Sequence, residues 1–241
     1  MQQVLDKKGL TFQRERCTLI CDREHRSFCK QGIFMARDKT QSHIRIVDAA
    51  RKEFMEYGYN DASLRRIAAN AGIQVSGLYK HFANKEEMFA SLVTPAIEGF
   101  YALYHRIEKD YFDGVSHADT DDSHYDWVSQ DEAVRAMAYI YENIDSFQLL
   151  ILKSQGTKFE DFIHEVAKLE EDVTLRYMDE LRKRGYAVKE IDRMEFHLLT
   201  TSYIESFFQP LTHGLGREKA LHYAATLEEF YKPAWKAWFG I

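Results

Sequence analysis

Four residues near the start of the chain have side chains that could bind a metal ion or take part in thiol chemistry. They recur at intervals of four, as Cys17, Cys21, His25 and Cys29, which would place them along one face of a helix. Cysteine and histidine are common zinc ligands, but these intervals form no CxxC pair and leave little loop to surround an ion. A methionine, Met35, follows just before the first well-patterned helix. We therefore interpret residues 1–34 as a leader, disordered or not native, and expect neither a metal nor a cofactor.

A second group of possible metal ligands lies in the polar segment 114–126. It consists of His117, Asp119, Asp121, Asp122 and His124. Such residue types can bind metal ions, but the segment also has the composition of a solvated loop. We expect a loop here and no metal site.

The composition favours a mostly helical protein. Hydrophobic residues make up 45% and charged residues 29% of the 241 residues, with only three prolines and 12 glycines. No apolar run approaches the roughly 18 residues of a membrane span, and the N-terminal residues lack the apolar core of a secretory signal. No nucleophile elbow, phosphate-binding loop, HExxH motif or CxxC pair occurs. These features predict a cytoplasmic protein that is not an enzyme and has no membrane partner.

Charge is distributed unevenly along the chain. Residues 35–85 contain nine basic and five acidic side chains, a net charge of +4, and residues 1–34 carry +3. Because the whole chain carries −6, residues 86–241 carry −13. A small basic module joined to a large acidic one predicts a polyanion, such as nucleic acid, as a partner of one end only.

The basic part has the pattern of a helix-turn-helix. Residues 44–59 predict a first helix that ends near Gly58, with an apolar face formed by Ile46, Ala49, Ala50 and Phe54. A short second helix follows, with Asp61 or Ser63 as its N-cap, and residues 75–82 predict a third. Two short helices joined by a glycine-containing turn can place the second in the major groove, although the same corner also occurs as a purely structural element.

A set of short motifs runs through this pattern within residues 45–89. In chain order they are Ala49-Ala50, Phe54, Gly58-Tyr59, Arg65–Ala68, Ala71–Ile73, Leu78-Tyr79, Phe82 and Lys85–Glu87. Together they resemble the DNA-binding module of the TetR (AcrR) family of transcriptional regulators. The resemblance implies an all-α fold, with a three-helix helix-turn-helix domain at residues 38–94 and a larger helical ligand-binding and dimerisation domain at 95–241. Departures from the family pattern at Ala62, Gln74 and Gly77 leave the base preference open.

The resemblance also implies that the third helix is the recognition helix. Its short side chains would let the backbone approach the duplex, its glutamine can pair with adenine, and its lysine can reach guanine. Tyrosine, histidine and lysine side chains at its end would contact phosphates, and two residues of the second helix would contact backbone or base. Each polar residue could instead be a solvated surface side chain. The implied DNA-binding residues are Ser63, Arg65, Gln74, Val75, Ser76, Gly77, Tyr79, Lys80, His81 and Lys85.

The acidic part carries no comparable motif, but its periodicity predicts further helices. Their approximate bounds are 86–112, 129–143, 144–155, 158–186, 189–212 and 216–238. Asn84 and Glu87 predict a capping box at the start of the first of them. Pro95 lies inside that helix and predicts either a kink near residues 91–94 or the start of a new helix after a break.

Aromatic residues are abundant in these helices. Most serve the core, and some could line an apolar pocket in which tyrosine hydroxyls orient a small molecule. The candidate ligand-binding residues are Tyr104, Met137, Tyr141, Phe162 and Tyr177. The last two helices resemble the dimer-forming four-helix bundle of the family through Phe207, Phe208, Leu221, Ala224, Ala225 and Phe230.

These features predict a homodimeric transcriptional regulator that binds a double-stranded DNA operator. It would most simply be a repressor, released from the operator by a small apolar or aromatic effector. The alternative is a helix-turn-helix-like adaptor that binds a protein partner instead of DNA. The net charge of +4 on residues 35–85 disfavours that alternative.

Overall fold

The computed structural model describes residues 23–117 and 131–240, and in these ranges the chain is all α-helical without a strand. The helices are α1 Arg23–Asp61, α2 Leu64–Asn70, α3 Val75–Leu78, α4 Lys85–His117, α5 Glu132–Glu142, α6 Ile144–Leu152, α7 Phe162–Lys183, α8 Arg193–Thr212 and α9 Arg217–Phe239. Within the same ranges, no helix has the length and apolar character needed to cross a membrane. The predicted all-α fold class is confirmed.

Helix α1 begins at Arg23, inside the predicted leader and well before Ile44, where the sequence pattern placed its start. Packing divides the chain into the units Met1–Ser42 and His43–Ile241, and only the second unit is described below. The described part of the chain leaves out Cys17 and Cys21 and the side chains of His25 and Cys29. The absence of a metal site near the N-terminus therefore stays a prediction.

The first helices bury the apolar faces that the sequence predicted. We refer to residues 43–92 as the head and to residues 95–240 as the C-terminal domain. The regular turns of α1 break at Gly58, whose positive φ of 73° a side chain would disfavour, so the predicted stop is confirmed. Buried residues of the head include Ile46, Ala49, Ala50, Phe54, Ile67, Ala68, Ala71, Leu78, Phe82 and Phe89.

Helix α3 is shorter than the predicted range 75–82. Beyond Leu78 the chain continues in tight turns, in which the N–H of Lys80 donates to the Gly77 carbonyl at 3.2 Å and that of His81 to the Leu78 carbonyl at 2.9 Å. Phe82 is still buried at the end of these turns. Glycine is a poor helix former, so its place inside a four-residue helix fits this early end.

Helix α4 begins with the predicted capping box. The side-chain oxygen of Asn84 accepts from the Glu87 N–H at 2.7 Å, and the Glu87 carboxylate accepts from the Ala83 N–H. The helix then runs through Pro95 without interruption. The alternative in which Pro95 begins a new helix is therefore wrong, and the kink stays a prediction.

The same helix shortens the predicted loop at 114–126, because α4 continues to His117. The described residues do not include the other possible metal ligands of that segment, Asp119, Asp121, Asp122 and His124. The absence of a metal site there therefore stays a prediction.

The C-terminal helices lie within a few residues of their predicted bounds. Helix α4 packs against α5, α6 and α7, while α5 packs on α9 and α7 on α8. Aromatic rings fill the centre, where Phe100 lies 5.8 Å from Phe147 and 6.0 Å from Phe162 between ring centroids. A second cluster is formed by Tyr177, Met178, Leu181, Phe196 and Phe239.

Candidate nucleic-acid interface and internal cavity

An ion pair between a buried carboxylate and an exposed arginine joins α1 to α2 in the head. Glu53 is 3% exposed, and its Oε1 accepts from the Ser63 N–H and from Arg66 Nε, each at 2.7 Å. Arg66 also donates to the Asp61 carbonyl at 2.8 Å and lies 4.2 Å above the Tyr57 ring. Ser63 is the N-cap of α2, but its hydroxyl makes no capping bond. By accepting from the N–H of the N-cap residue, the Glu53 carboxylate does what the glutamate of a capping box does.

The predicted DNA-binding residues divide by exposure. Arg65 on α2 is exposed, as are the polar residues at the start and end of α3: Gln74, Ser76, Tyr79 and Lys80. Tyr79, with 55% of its surface exposed, is among the few large hydrophobic side chains that the described chain leaves in solvent. The remaining residues of the predicted set are half-buried: Ser63, Val75, Gly77, His81 and Lys85.

Lys85 has internal partners that the sequence did not indicate. Its ammonium donates to the carbonyls of Asn60 at 3.1 Å and Ala62 at 3.0 Å, and it lies 4.7 Å from the centre of the Tyr59 ring. Burial lowers the pKa of this lysine. Lys85 thus ties the start of α4 to the end of α1, and its phosphate contact stays a prediction.

The C-terminal domain encloses a cavity of about 580 Å³. Its wall is formed by residues of α4, α5, α7, α8 and α9, together with Asp131 before α5. Aromatic rings cover much of this wall, among them Tyr104, Tyr111, Tyr177, Tyr203, Tyr231 and Trp235. A cavity of this size suits a small organic molecule.

Carboxyl groups reach the same cavity from three helices. Tyr104 donates its hydroxyl proton to Glu170 Oε2 at 2.5 Å, and Tyr111 donates to Glu132. Burial raises the pKa of Glu132 to about 8, although the hydrogen bond from Tyr111 opposes this shift. Burial likewise raises the pKa of Glu170 and of Glu228. The cavity therefore holds three acids with raised pKa values, of which Glu132 changes its protonation near neutral pH.

Comparison with known proteins concerns the head above all. Residues 46–92 match the family model described as "Bacterial regulatory proteins, tetR family". This stretch contains the short helices α2 and α3 and the capped start of α4. Over this stretch the chain is similar to the DNA-binding domain of TetR-family regulators.

Relatives of known sequence match the same part of the chain. An HTH-type transcriptional regulator of Staphylococcus aureus (strain bovine RF122 / ET3-1) is 31% identical over 77 residues, which is 32% of this chain. The counterpart in strain USA300 matches to the same extent. The chain spans only 42% of the length of these relatives.

Solved structures with a similar course of the chain are more distant. NalD, the secondary repressor of the MexAB-OprM multidrug efflux pump in Pseudomonas aeruginosa, has a TM-score of 0.48 and 19% identity, covering 82% of this chain and 96% of NalD. FadR from Bacillus subtilis, in complex with stearoyl-CoA, has a TM-score of 0.41 and 17% identity, covering 76% of this chain and 97% of FadR.

Two of the five candidate ligand residues reach the cavity of the C-terminal domain. Tyr104 and Tyr177 line its wall, whereas Met137, Tyr141 and Phe162 do not. Met137 is fully buried in the core and Phe162 packs among phenylalanine rings. Tyr141 donates its hydroxyl proton to the Leu215 carbonyl at 2.6 Å. These three side chains serve packing, which is the commoner role of a buried apolar or aromatic residue.

The cavity glutamates were missed from the sequence, although one signal was present. Val166, Glu170, Val173 and Tyr177 follow one another at intervals of four, three and four, so Glu170 lies on the apolar face of α7. A charged residue on such a face is seldom fully buried unless it has a partner or a task. That signal identifies Glu170 without showing what it faces.

Proposed function

We propose that this chain is a dimeric transcriptional regulator that represses transcription at a DNA operator and is released by a small molecule. The observation that carries the proposal is the exposure of Gln74, Tyr79 and Lys80 on a helix-turn-helix that matches the TetR family model. Polar side chains at the start of a recognition helix are the ones that reach base edges in the major groove.

DNA contacts follow from these positions. Gln74 would pair with adenine and Lys80 would reach guanine, each worth about 1–3 kcal/mol of discrimination. Tyr79, His81 and Lys85 would contact phosphates, which fix the register without specifying sequence. Two heads would bind half-sites about 34–36 Å apart, or a multiple of that distance.

Dimerisation would use the outer faces of α8 and α9. Phe207, Phe208 and Ala224 of the predicted bundle are buried inside the subunit, so they are unsuited to contact a partner. Large apolar side chains on the same helices are instead exposed: Met194 by 64%, Leu198 by 58%, Leu199 by 44% and Phe230 by 73%. A second copy of the chain would cover this surface.

Effector binding would reach the head through α4. This helix carries Lys85 at the head and Tyr104 at the cavity. Around Pro95 it is held from outside, because the Ser146 hydroxyl donates to the Leu92 carbonyl at 2.8 Å and the Tyr139 hydroxyl to the Ala96 carbonyl at 3.1 Å. A shift of α4 in the cavity would therefore be transmitted to the head and change its fit to the operator.

A direct experiment is a DNA-binding assay with genomic fragments, followed by footprinting of those retained. We expect protection of two half-sites, loss of sequence preference in Gln74→Ala, and monomers in light scattering for Leu198→Glu combined with Phe230→Glu. Binding without sequence preference, or none, would contradict the proposal and favour the adaptor that binds a protein. The substitution Glu142→Gln, on the exposed end of α5, serves as the control.

A further inference from the structure

The internal cavity is strongly acidic for a site enclosed by aromatic rings. Six acidic residues line it, against a single lysine, Lys232. Three of the acids, Glu132, Glu170 and Glu228, come from three separate helices, α5, α7 and α9. Because buried carboxylates are costly without a compensating charge, this arrangement needs an explanation beyond packing.

The hydrogen-bond donors to these three carboxyls are neutral groups. Such donors orient a carboxylate but do not cancel its charge. They are the hydroxyl of Tyr104 to Glu170 at 2.5 Å, that of Thr174 to Glu170 at 3.4 Å, that of Tyr111 to Glu132, and the backbone N–H of Ala133 to Glu228 at 2.7 Å.

The basic side chains nearest to the cavity either pair with other acids or interact with only one of the three glutamates. Arg176 donates to Glu108 at 2.6 Å, and Arg135 lies 4.0 Å from Asp110 while also facing Glu132. Lys232 faces Glu228. Neither arginine lines the cavity, and Glu170 accepts its hydrogen bonds from Tyr104 and Thr174.

Two polar atoms at the cavity lack a hydrogen-bond partner among the described residues. They are Oγ1 of Thr200, a residue only 2% exposed, and Oε2 of Glu228. Both residues line the cavity. Buried polar atoms are seldom left without a partner in a native protein, so the unpartnered Glu228 Oε2 leaves this carboxyl open to a bound group.

Aromatic rings lie on the same wall as the acids. The centroids of Tyr203 and Tyr231 are 5.0 Å apart, and the Tyr231 ring is stacked on Trp235 at 6.2 Å. Faces of such rings attract cations, most strongly when water is excluded. Such rings suit a cation whose charge is spread over an organic group.

We propose that the cavity binds a lipophilic organic cation, with its charge between Glu132, Glu170 and Glu228 and its apolar part against Tyr203, Tyr231 and Trp235. This inference rests on the proposed function only in treating the cavity as the effector site. It replaces the neutral apolar or aromatic effector expected from the sequence with a positively charged one.

The test compares two probes of nearly the same shape, the cation methyltriphenylphosphonium and the neutral triphenylphosphine oxide, by calorimetry with the full chain. We expect the cation to bind at least tenfold more tightly. At pH 9, where Glu132 is ionised, each of Glu132→Gln, Glu170→Gln and Glu228→Gln should weaken the cation at least tenfold and leave the neutral probe within about threefold. Glu142→Gln, on the exposed end of α5, is the matched control and should change neither affinity.

A second measurement needs no variant. Burial keeps Glu132 protonated below its pKa of about 8, and the ionised form attracts a cation. Affinity for methyltriphenylphosphonium should therefore rise between pH 6 and pH 9, with proton release on binding, while affinity for the oxide should not. Equal affinities of the two probes, or a cation affinity independent of pH and of the three glutamates, would overturn the proposal.

The outcome is separable from that of the proposed function, because operator binding is measured on the ligand-free protein. Operator binding without preference for the cation would refute the ligand class and leave the regulator. Preference for the cation without operator binding would refute the regulator and leave the cavity assignment.

Discussion

The head and the C-terminal domain each bury carboxylates, but they treat them in opposite ways. In the head, Glu53 accepts hydrogen bonds from Arg66 and from the Ser63 N–H, so its charge is matched by a cation of the chain itself. In the C-terminal domain, Glu132 and Glu170 face a cavity and accept from tyrosine hydroxyls. The first arrangement stabilises a fixed domain, and the second retains a site that an added cation would complete.

Among the changes that test this contrast, Glu53→Ala should have the largest effect on stability and on operator affinity. The substitution leaves the buried Ser63 N–H without its acceptor, which costs roughly 1–3 kcal/mol, and it also frees Arg66. We expect the head to unfold at lower temperature and operator affinity to fall more than tenfold. Circular dichroism of the helices and titration of operator DNA provide the measurements.

Asp48→Ala, on the exposed face of the same helix, is the control for Glu53→Ala. Equal melting curves of the two variants would show that the ion pair contributes nothing to the head.

Neutralising a cavity glutamate should raise the stability of the protein, whereas removal of Glu53 lowers it. The pKa of Glu132 is raised to about 8 by burial, so the folded protein binds a proton more tightly than the unfolded chain. This contribution to stability is complete below the unfolded pKa, near 4.5, and is lost as the pH rises through about 8. Glu132→Gln should therefore raise the melting temperature by several degrees at pH 9 and have little effect at pH 5.

Because Glu170 and Glu228 have raised pKa values as well, the single variant should flatten the pH dependence of melting without abolishing it. Melting curves across the pH range provide the measurement, with Glu142→Gln as control. A variant less stable than wild type at pH 9 would contradict the view that these carboxyls are costly in the ligand-free protein.

Adjacent arginines offer a third contrast, within the head. Arg65 is exposed, whereas Arg66 is bound to Glu53. Arg65→Ala should leave melting unchanged, weaken operator binding at all sequences, and reduce the slope of log affinity against log salt by about one unit.

Lys85→Ala should change both stability and slope, because this lysine also binds the Asn60 and Ala62 carbonyls. An unaltered slope for Lys85→Ala would leave Lys85 with its structural role alone.

The sequence predicted the head better than the cavity for a physical reason. The head is local: its motifs lie within residues 45–89, and their spacing determines caps, stop and apolar faces. Even so, spacing could not tell Arg65 from Arg66, because only the position of Glu53 decides which of these exposed arginines is held in an ion pair. The cavity is assembled from five helices, so Tyr104 and Tyr177 could be guessed as aromatic wall residues, whereas Glu132 and Glu228 were recognisable only after the helices were placed.

Pro95→Ala tests the connection between the two regions. Proline removes one backbone hydrogen bond of α4, and alanine would restore it without changing the cavity wall, to which Pro95 does not belong. We expect unchanged effector affinity and a smaller effector-driven loss of operator affinity, by roughly threefold, measured with and without saturating effector. An equal loss in both proteins would show that the proline is no pivot.

The smallest effect is expected for Gly77→Ala on α3. A Cβ at this position would lie 3.5 Å from Ile73 Cδ1, an ordinary contact, so the fold does not require glycine here. Alanine is the better helix former by up to about 1 kcal/mol, and the head should melt at slightly higher temperature. If the backbone at Gly77 approaches the duplex closely, the added methyl group should nevertheless weaken operator binding severalfold. Gly216→Ala, at a position with open space before α9, is the control and should leave operator binding unchanged. Higher stability together with undiminished operator affinity would mean that Gly77 does not face the DNA.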